Sequence, residues 1–168
     1  MWLQRSVFSL LAVAVFLSTS GCGGYQFTGE PLVMPEGHRL LCIDEIDNPT
    51  METWLSPMLR SMIRNELTRR GDVEWTSRAG ADALLTVRIK RYLVEARIQD
   101  SSDFTLKKMV EIQVDAELTR TSDNTQLWQS GTVVSHETYL TDGELPAARS
   151  RAVEKAVREL ADRMGHAF

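Results

Sequence analysis

The most informative pattern along this chain is a change of register within one alternating stretch. In Ala83–Ile89 the apolar residues are odd-numbered (Ala83, Leu85, Val87, Ile89), whereas from Tyr92 they are even-numbered (Tyr92, Val94, Ala96, Ile98). A period of two predicts a half-buried strand. A strand changes faces only by gaining a residue, so the pattern predicts a bulge near Lys90-Arg91. A returning strand alternates through Leu106, Val110, Ile112, Val114, Ala116 and Leu118. Val87 opposite Ala116 and Ile89 opposite Val114 lead, one residue later, to Tyr92 opposite Ile112 and Val94 opposite Val110. Both apolar faces then coincide. The turn falls at Asp100-Ser101-Ser102-Asp103, residues that favour one.

Two segments follow the helical period instead. Leu55, Leu59, Met62, Ile63 and Leu67 form one apolar stripe, with Ser56 as N-cap, Pro57 as first helical residue and Gly71 as the stop. After the break at Thr141-Asp142-Gly143, a stripe of Ala152, Val153, Ala156, Val157, Leu160, Ala161 and Met164 predicts the final helix. Arg39–Ile46 reads as a first strand closed by Asp47-Asn48-Pro49, and Val73–Trp75 as a short one. Ser122-Asp123-Asn124 is a second turn, leading to a third long strand, Gln126–Tyr139, whose alternation weakens around Gly131. The prediction is an α+β fold: two helices on one face of a largely antiparallel sheet.

Ahead of this pattern, Val7–Leu17 is an apolar run of 11 residues interrupted only by Ser9 and preceded by Arg5. As a helix it would reach about 16 Å, half the hydrocarbon thickness of a bilayer. Its layout is that of a signal peptide. The small residues Ser18–Gly21 followed by Cys22 resemble a bacterial lipobox, with Thr19 where Leu is usual. The expected organisation is a lipoprotein signal peptide (1–21), a lipidated tether (22–37) rich in Gly and Pro, and a single domain (38–168). Cys22 would carry N-acyl and diacylglycerol lipid, and no other cofactor is expected. Cys42, in the apolar run Leu40–Ile43, is expected to be a small buried hydrophobe. The full chain of 168 residues has a net charge of −4, and loss of residues 1–21 removes only Arg5, leaving −5. An acidic balance argues against general nucleic-acid binding.

Motifs for catalysis and metal binding are missing from the sequence. His38, His136 and His166 share no ligand spacing, and His136-Glu137 lacks a second histidine because Leu140 stands there. There is no Gly-x-Ser-x-Gly turn and no phosphate-binding glycine loop. Glu111, Asp115 and Glu117 line the predicted solvent face of one strand. The chain is therefore expected not to be an enzyme, and no metal site is expected. The basic residues carry more information. The register sets Arg88 opposite Asp115, an exposed pair worth little. Nearer the turn, Arg97 falls opposite Lys107 with Lys108 beside it, and like charges placed opposite one another are destabilising. Asp100 and Asp103 partly neutralise them. Solvated charge and an anion-binding site both fit that end of the hairpin.

Cys22-Gly-Gly-Tyr-Gln-Phe-Thr-Gly29, the strand Leu41–Ile46, the helix segment Pro57–Leu67, Ala81-Asp82-Ala83-Leu84 and Leu127-Trp128 resemble, in this order, the LptE family of outer-membrane lipoproteins. The Cys-Gly start carries one extra Gly. The resemblance implies a sheet of four strands carrying two helices. It implies a non-enzymatic protein that binds lipopolysaccharide and plugs the β-barrel of an LptD-type partner, anchored by lipid on the periplasmic side of the outer membrane of a Gram-negative bacterium. Arg97, Lys107 and Lys108 match by position the basic residues associated with lipopolysaccharide binding, and Arg149, before the last helix, is a further candidate. The alternative is a periplasmic lipoprotein adaptor for an ABC-type lipid exporter or cell-wall synthase. A lipid-anchored hydrolase lacks a nucleophile motif.

Overall fold

The computed structural model describes residues 37–71, 73–98 and 106–167, with the backbone alone for residues 97, 98 and 106. The expected signal peptide, Cys22, most of the expected tether and the expected turn at Asp100–Asp103 lie outside the described residues.

The chain begins with β1 (Leu40–Asp47), crosses through α1 (Leu55–Arg70) to the short β2 (Glu74–Trp75), and enters the long pair β3 (Ala83–Ile98) and β4 (Leu106–Arg120). It ends with β5 (Gln126–Gln129), β6 (Val133–Tyr139) and α2 (Leu145–Gly165). The fold is α+β, but the sheet has six strands with mixed pairing, in place of four mostly antiparallel ones. β1 pairs in parallel with both β2 and β3. A helix lies between β1 and its partners, and such a crossover returns the chain in the same direction. β3 and β4 are antiparallel, and β4 pairs along its other edge with β5 and then β6.

The hairpin register is the one the alternation predicts. Val87 pairs with Ala116, Ile89 with Val114, Tyr92 with Ile112 and Val94 with Val110, and the register shifts between Ile89 and Arg91. Lys90 is thus the extra residue. β1 has a similar shift between Ile43 and Glu45, with Asp44 as the extra residue. Leu41 and Ile43 are buried before it, and Ile46 packs on the same core after it. Cys42, set between Leu41 and Ile43, points the other way; its thiol is unpaired and the residue is only half-buried, not enclosed as expected.

The expected strand Gln126–Tyr139 is two strands. At the break Ser130 does the work of the ladder. Its N–H donates to the Ala116 carbonyl (2.9 Å), and its Oγ accepts from the Ala116 N–H (2.8 Å). Gly131 follows with φ +64°, a left-handed conformation that glycine adopts without steric cost. Arg163 of α2 donates to the Ser130 (2.9 Å) and Thr132 (3.2 Å) carbonyls, satisfying backbone acceptors at the interruption.

α1 starts at Leu55, so Ser56 and Pro57 are its second and third residues, and Ser56 is not its cap. Trp54 occupies the cap position without a side-chain hydrogen bond. Proline is tolerated there because the first-turn N–H groups have no helical partner to lose. Gly71 ends the helix as expected. Every stripe residue of α2 is buried, together with Ala148. The inward side chains of both helices meet those of the sheet in one core that includes Leu41, Leu59, Val87, Ile112, Val153 and Leu160.

The helices lie side by side and parallel, tied at both ends. At their amino ends the Arg149 guanidinium sits over the Trp54 ring, 5.3 Å from its centroid. At their carboxyl ends Arg70, whose side chain is 6% exposed, binds Glu66 (2.7 Å) on its own helix and Asp162 on α2. Burial alone would lower the Arg70 pKa, but its bonds to Asp162 and Glu66 outweigh that and raise it. Glu137 on β6 joins the sheet to α2 by accepting from Lys155 and from Arg151 (3.3 Å).

Arg70→Ala should destabilise the fold by about 2 kcal/mol, because it removes the buried one of two arginines on the nearly buried Glu66, leaving only Arg69, and breaks the tie to Asp162; urea unfolding measures this, and Arg158→Ala, at an exposed helix pair, is the low-cost comparison. A second test follows from Glu137, whose carboxyl is held below the usual range by hydrogen bonds from Lys155 and then Arg151. A depressed folded pKa contributes stability above the unfolded value of about 4.3 and loses it as pH falls through the folded value. Acid unfolding curves should therefore show less acid sensitivity for Glu137→Gln than for the wild type.

Candidate functional site

The extra residue in β3 allows a very long hairpin. Sixteen residues of β3 and fifteen of β4 extend for roughly 50 Å at strand rise. α1, at about 24 Å, covers only part of that length. Its first turn stands level with Tyr92, where the Trp54 and Tyr92 rings meet edge-on at 5.5 Å. Beyond that point the helix-side residues of β3 lose their cover. Val94 is 38% exposed although its partner Val110 is fully buried, and Ala96 is exposed. On the β3 side the hairpin overhangs α1, while β4 stays covered as far as Lys108, which meets the turn before α2.

The predicted basic residues divide among three places. Arg97 and Lys107 are register partners near the end of the overhang. Lys107 is exposed and makes no ion pair among the described residues. It lies on the outer face of β4, with Glu111 and Asp115 further along. Lys108 does not lie beside it. It pairs with Ala96 in register and shares the opposite face with Val110 and Ile112. There its amine binds Asp142, in the turn that leads into α2. That hydrogen bond is the main reason its pKa is raised. Arg149 is elsewhere again, stacked on Trp54 near Tyr92. Arg149 Nε and Tyr92 Oη are both buried without a hydrogen bond. Burial pushes the Tyr92 phenol up, and the Arg149 charge pulls it partly back.

Closer to the bulge Arg88 and Lys90 are neutralised, whereas Arg91 is exposed and makes no ion pair among the described residues. Arg88 faces Asp115 in register but approaches it only to 3.9 Å, and its nearer partner is Asp47 at 3.2 Å. Lys90 takes Asp115 at 2.9 Å, because the bulge leaves Lys90 free to lean toward it. Arg97 and Lys107 are the like-charge partners in the described register of β3 and β4, with Glu95 two residues earlier on the same face. Asp142 and Trp54 were not recognisable in the sequence as partners. Asp142 could be seen only as part of a turn, and Trp54 precedes the helix where a cap was expected.

Among the described residues, no group of three His, Cys, Asp or Glu side chains could hold a metal ion, and no helix is long and apolar enough to cross a membrane.

The model of the LptE family, described as lipopolysaccharide-assembly, matches residues 39–166. The chain belongs to the LptE family. A search of curated proteins finds no match. Similar solved structures include a minor lipoprotein from Acinetobacter baumannii, 10% identical with a TM-score of 0.53, over 81% of this chain and 94% of that one. Protein XCC0632 from Xanthomonas campestris is 16% identical with a TM-score of 0.58, covering 83% and 89%. An uncharacterized lipoprotein B from Nitrosomonas europaea is 14% identical with a TM-score of 0.54, covering 85% and 91%. At such identities these likenesses speak for the LptE-like fold.

Proposed function

We propose that this LptE-family member is a lipid-anchored, non-enzymatic component of an outer-membrane lipopolysaccharide translocon. In this reading residues 1–21 are removed, Cys22 carries the lipid, residues 22–37 tether, and the domain 38–168 sits within the barrel of an LptD-type partner. The polar outer face of the sheet, with Thr86, Arg88, Glu111, Gln113 and Asp115, suits a polar barrel lumen. A hairpin of roughly 50 Å exceeds the hydrocarbon thickness of about 30 Å, so within a barrel it reaches across the membrane.

The observation that carries the lipopolysaccharide-binding reading is the Arg97–Lys107 register pair at the end of the overhang. Two cations opposite one another repel, and an anion between them relieves the repulsion. Lipopolysaccharide supplies phosphates and sugar acids, which arginine and lysine bind through charge-assisted hydrogen bonds. Lys108, held by Asp142, and Arg149, held by Trp54, are secondary contacts on the helix side. The action is non-covalent. Cations compete for the anionic groups that bind the glycolipid into aggregates, and the barrel supplies the route.

The double variant Arg97→Ser/Lys107→Ser should weaken lipopolysaccharide binding several-fold at low salt and lose most of the difference at high salt, since exposed charges are screened. Its unfolding midpoint should stay level or rise slightly. Arg88→Ser/Lys90→Ser should bind like wild type, because those cations are already paired. Equal binding by the wild type and the hairpin variant at low salt returns Arg97 and Lys107 to ordinary solvated charge.

A further inference from the structure

We propose that the carboxyl end of α1 and the adjoining strand β2 form a surface that rests on the anionic headgroups of the membrane holding the lipid anchor. The inference builds on the lipid-anchor reading above and adds an orientation to it. Its first support is the place where the tether joins the domain. Leu40 and Leu41 pair with Glu74 and Trp75 of β2. The Glu74 N–H donates to the Arg39 carbonyl (2.9 Å). On the other side, Asp82 Oδ2 accepts from the N–H groups of Arg39 (3.3 Å) and Leu40 (3.2 Å), and the Asp82 N–H donates to the Leu40 carbonyl (2.8 Å). The chain is thus clamped from both sides at the edge where it leaves for Cys22. From Cys22 to Arg39 the contour length is at most about 60 Å, so that edge has reach to the anchoring leaflet.

The second support is the chemistry exposed at the same edge. Trp75 is half-buried, and its indole N–H donates to Thr68 Oγ1 of α1 (2.8 Å). The Arg64 guanidinium lies over the Trp75 ring, 5.1 Å from its centroid. Stacking occupies the face of the guanidinium and leaves its in-plane N–H groups for phosphate oxygens. Arg69 binds the inward Glu66 but keeps its side chain 58% exposed, so its remaining N–H groups extend the donor surface by one turn. The exposed positions of α1 over these turns are Ser61, Arg64, Asn65, Thr68 and Arg69, none of them acidic, and Glu66 is turned inward and buried. Glu74 is the exposed acid beside them on β2. Tryptophan and arginine together are suited to the headgroup layer, where an amphipathic ring and a phosphate ligand both find partners. The cationic hairpin end lies at the other end of β3, roughly 50 Å away, and so points away from the anchoring leaflet.

The test uses the acylated protein in lipid nanodiscs, with Cys42→Ser and a fluorophore on Asn65→Cys, and a lipid carrying a nitroxide on its headgroup as quencher. Quenching should be strong on discs containing phosphatidylglycerol, weak on phosphatidylcholine alone, and reduced by salt. Arg64→Ser/Arg69→Ser should lower the phosphatidylglycerol-dependent quenching on the order of tenfold, as expected for two cations at an anionic surface. Arg64→Lys/Arg69→Lys should keep most of the salt-sensitive attraction, and Arg88→Ser/Lys90→Ser should behave as wild type. Equal quenching on both lipids, or indifference to the arginine substitutions, overturns the proposal. So does quenching that requires an added β-barrel partner, which would assign the surface to a protein. Acylated protein in discs with an unquenched label overturns the orientation alone; a chain that carries no lipid overturns the anchor reading and the orientation with it.

Discussion

One residue too many in β3 sets the terms for the rest of this fold. Without Lys90, the apolar side chains of Tyr92 and Val94 would turn to the face opposite Val87 and Ile89, and the two halves of the hairpin would bury opposite sides. With it, a strand of 16 residues keeps one apolar face toward the helices over its whole length. The same extra residue places the Lys90 amine against Asp115, so the bulge is also where charge on the hairpin becomes balanced. Beyond it the outer face carries Glu95 and Glu111 ahead of the Arg97–Lys107 register pair, and β3 outgrows α1. Strand length, the loss of helical cover over β3 and a like-charge register pair therefore coincide at one end of the molecule.

The opposite end is held together by polar contacts. Parallel helices bring both carboxyl ends to the edge where β1 starts, and the buried Arg70 joins them by binding the inward Glu66 and the half-exposed Asp162. A buried arginine between two carboxylates adds little stability compared with an apolar contact of the same shape, but it fixes which turns of the two helices lie side by side. Asp82 then pins the first residues of β1, and Arg163 holds the interruption between β5 and β6. These polar contacts set the arrangement of elements whose burial supplies most of the driving force.

Much of this was legible in the sequence because it depends on short-range periodicity. Alternation of six apolar residues in β4 left a single consistent register for β3, and the buried stripe of α2 is visible as spacing alone. The bulge in β1 was not read from the sequence, where Arg39–Ile46 passed as a plain strand, although Leu41, Ile43 and Ile46 cannot share a face without an extra residue. Parallel pairing of β1 required weighing the helix that follows it, and the split of the last strand was announced only by weak alternation near Gly131. Ser56 looked like a cap because serine before proline at a helix start is common, yet the helix begins at Leu55, two residues before the expected start at Pro57. The partners of Lys108 and Arg149 were beyond reach for a different reason. Asp142 is 34 residues from Lys108, and no periodic signal links such distant side chains. The sequence brought Lys107 and Lys108 together by adjacency, whereas strand geometry sends neighbours to opposite faces.

The central claim is that the outer face of this sheet lies against the inside of a β-barrel while the hairpin reaches along it. The most direct measurement places a photoreactive amino acid at Gln113, midway along that face, and identifies what it captures in intact cells. The account predicts an adduct with an outer-membrane β-barrel protein of LptD type, and a weaker one from an equivalent probe at Arg158 on the exposed side of α2. Capture of an inner-membrane transporter or cell-wall synthase, with no barrel adduct at Gln113, would contradict it.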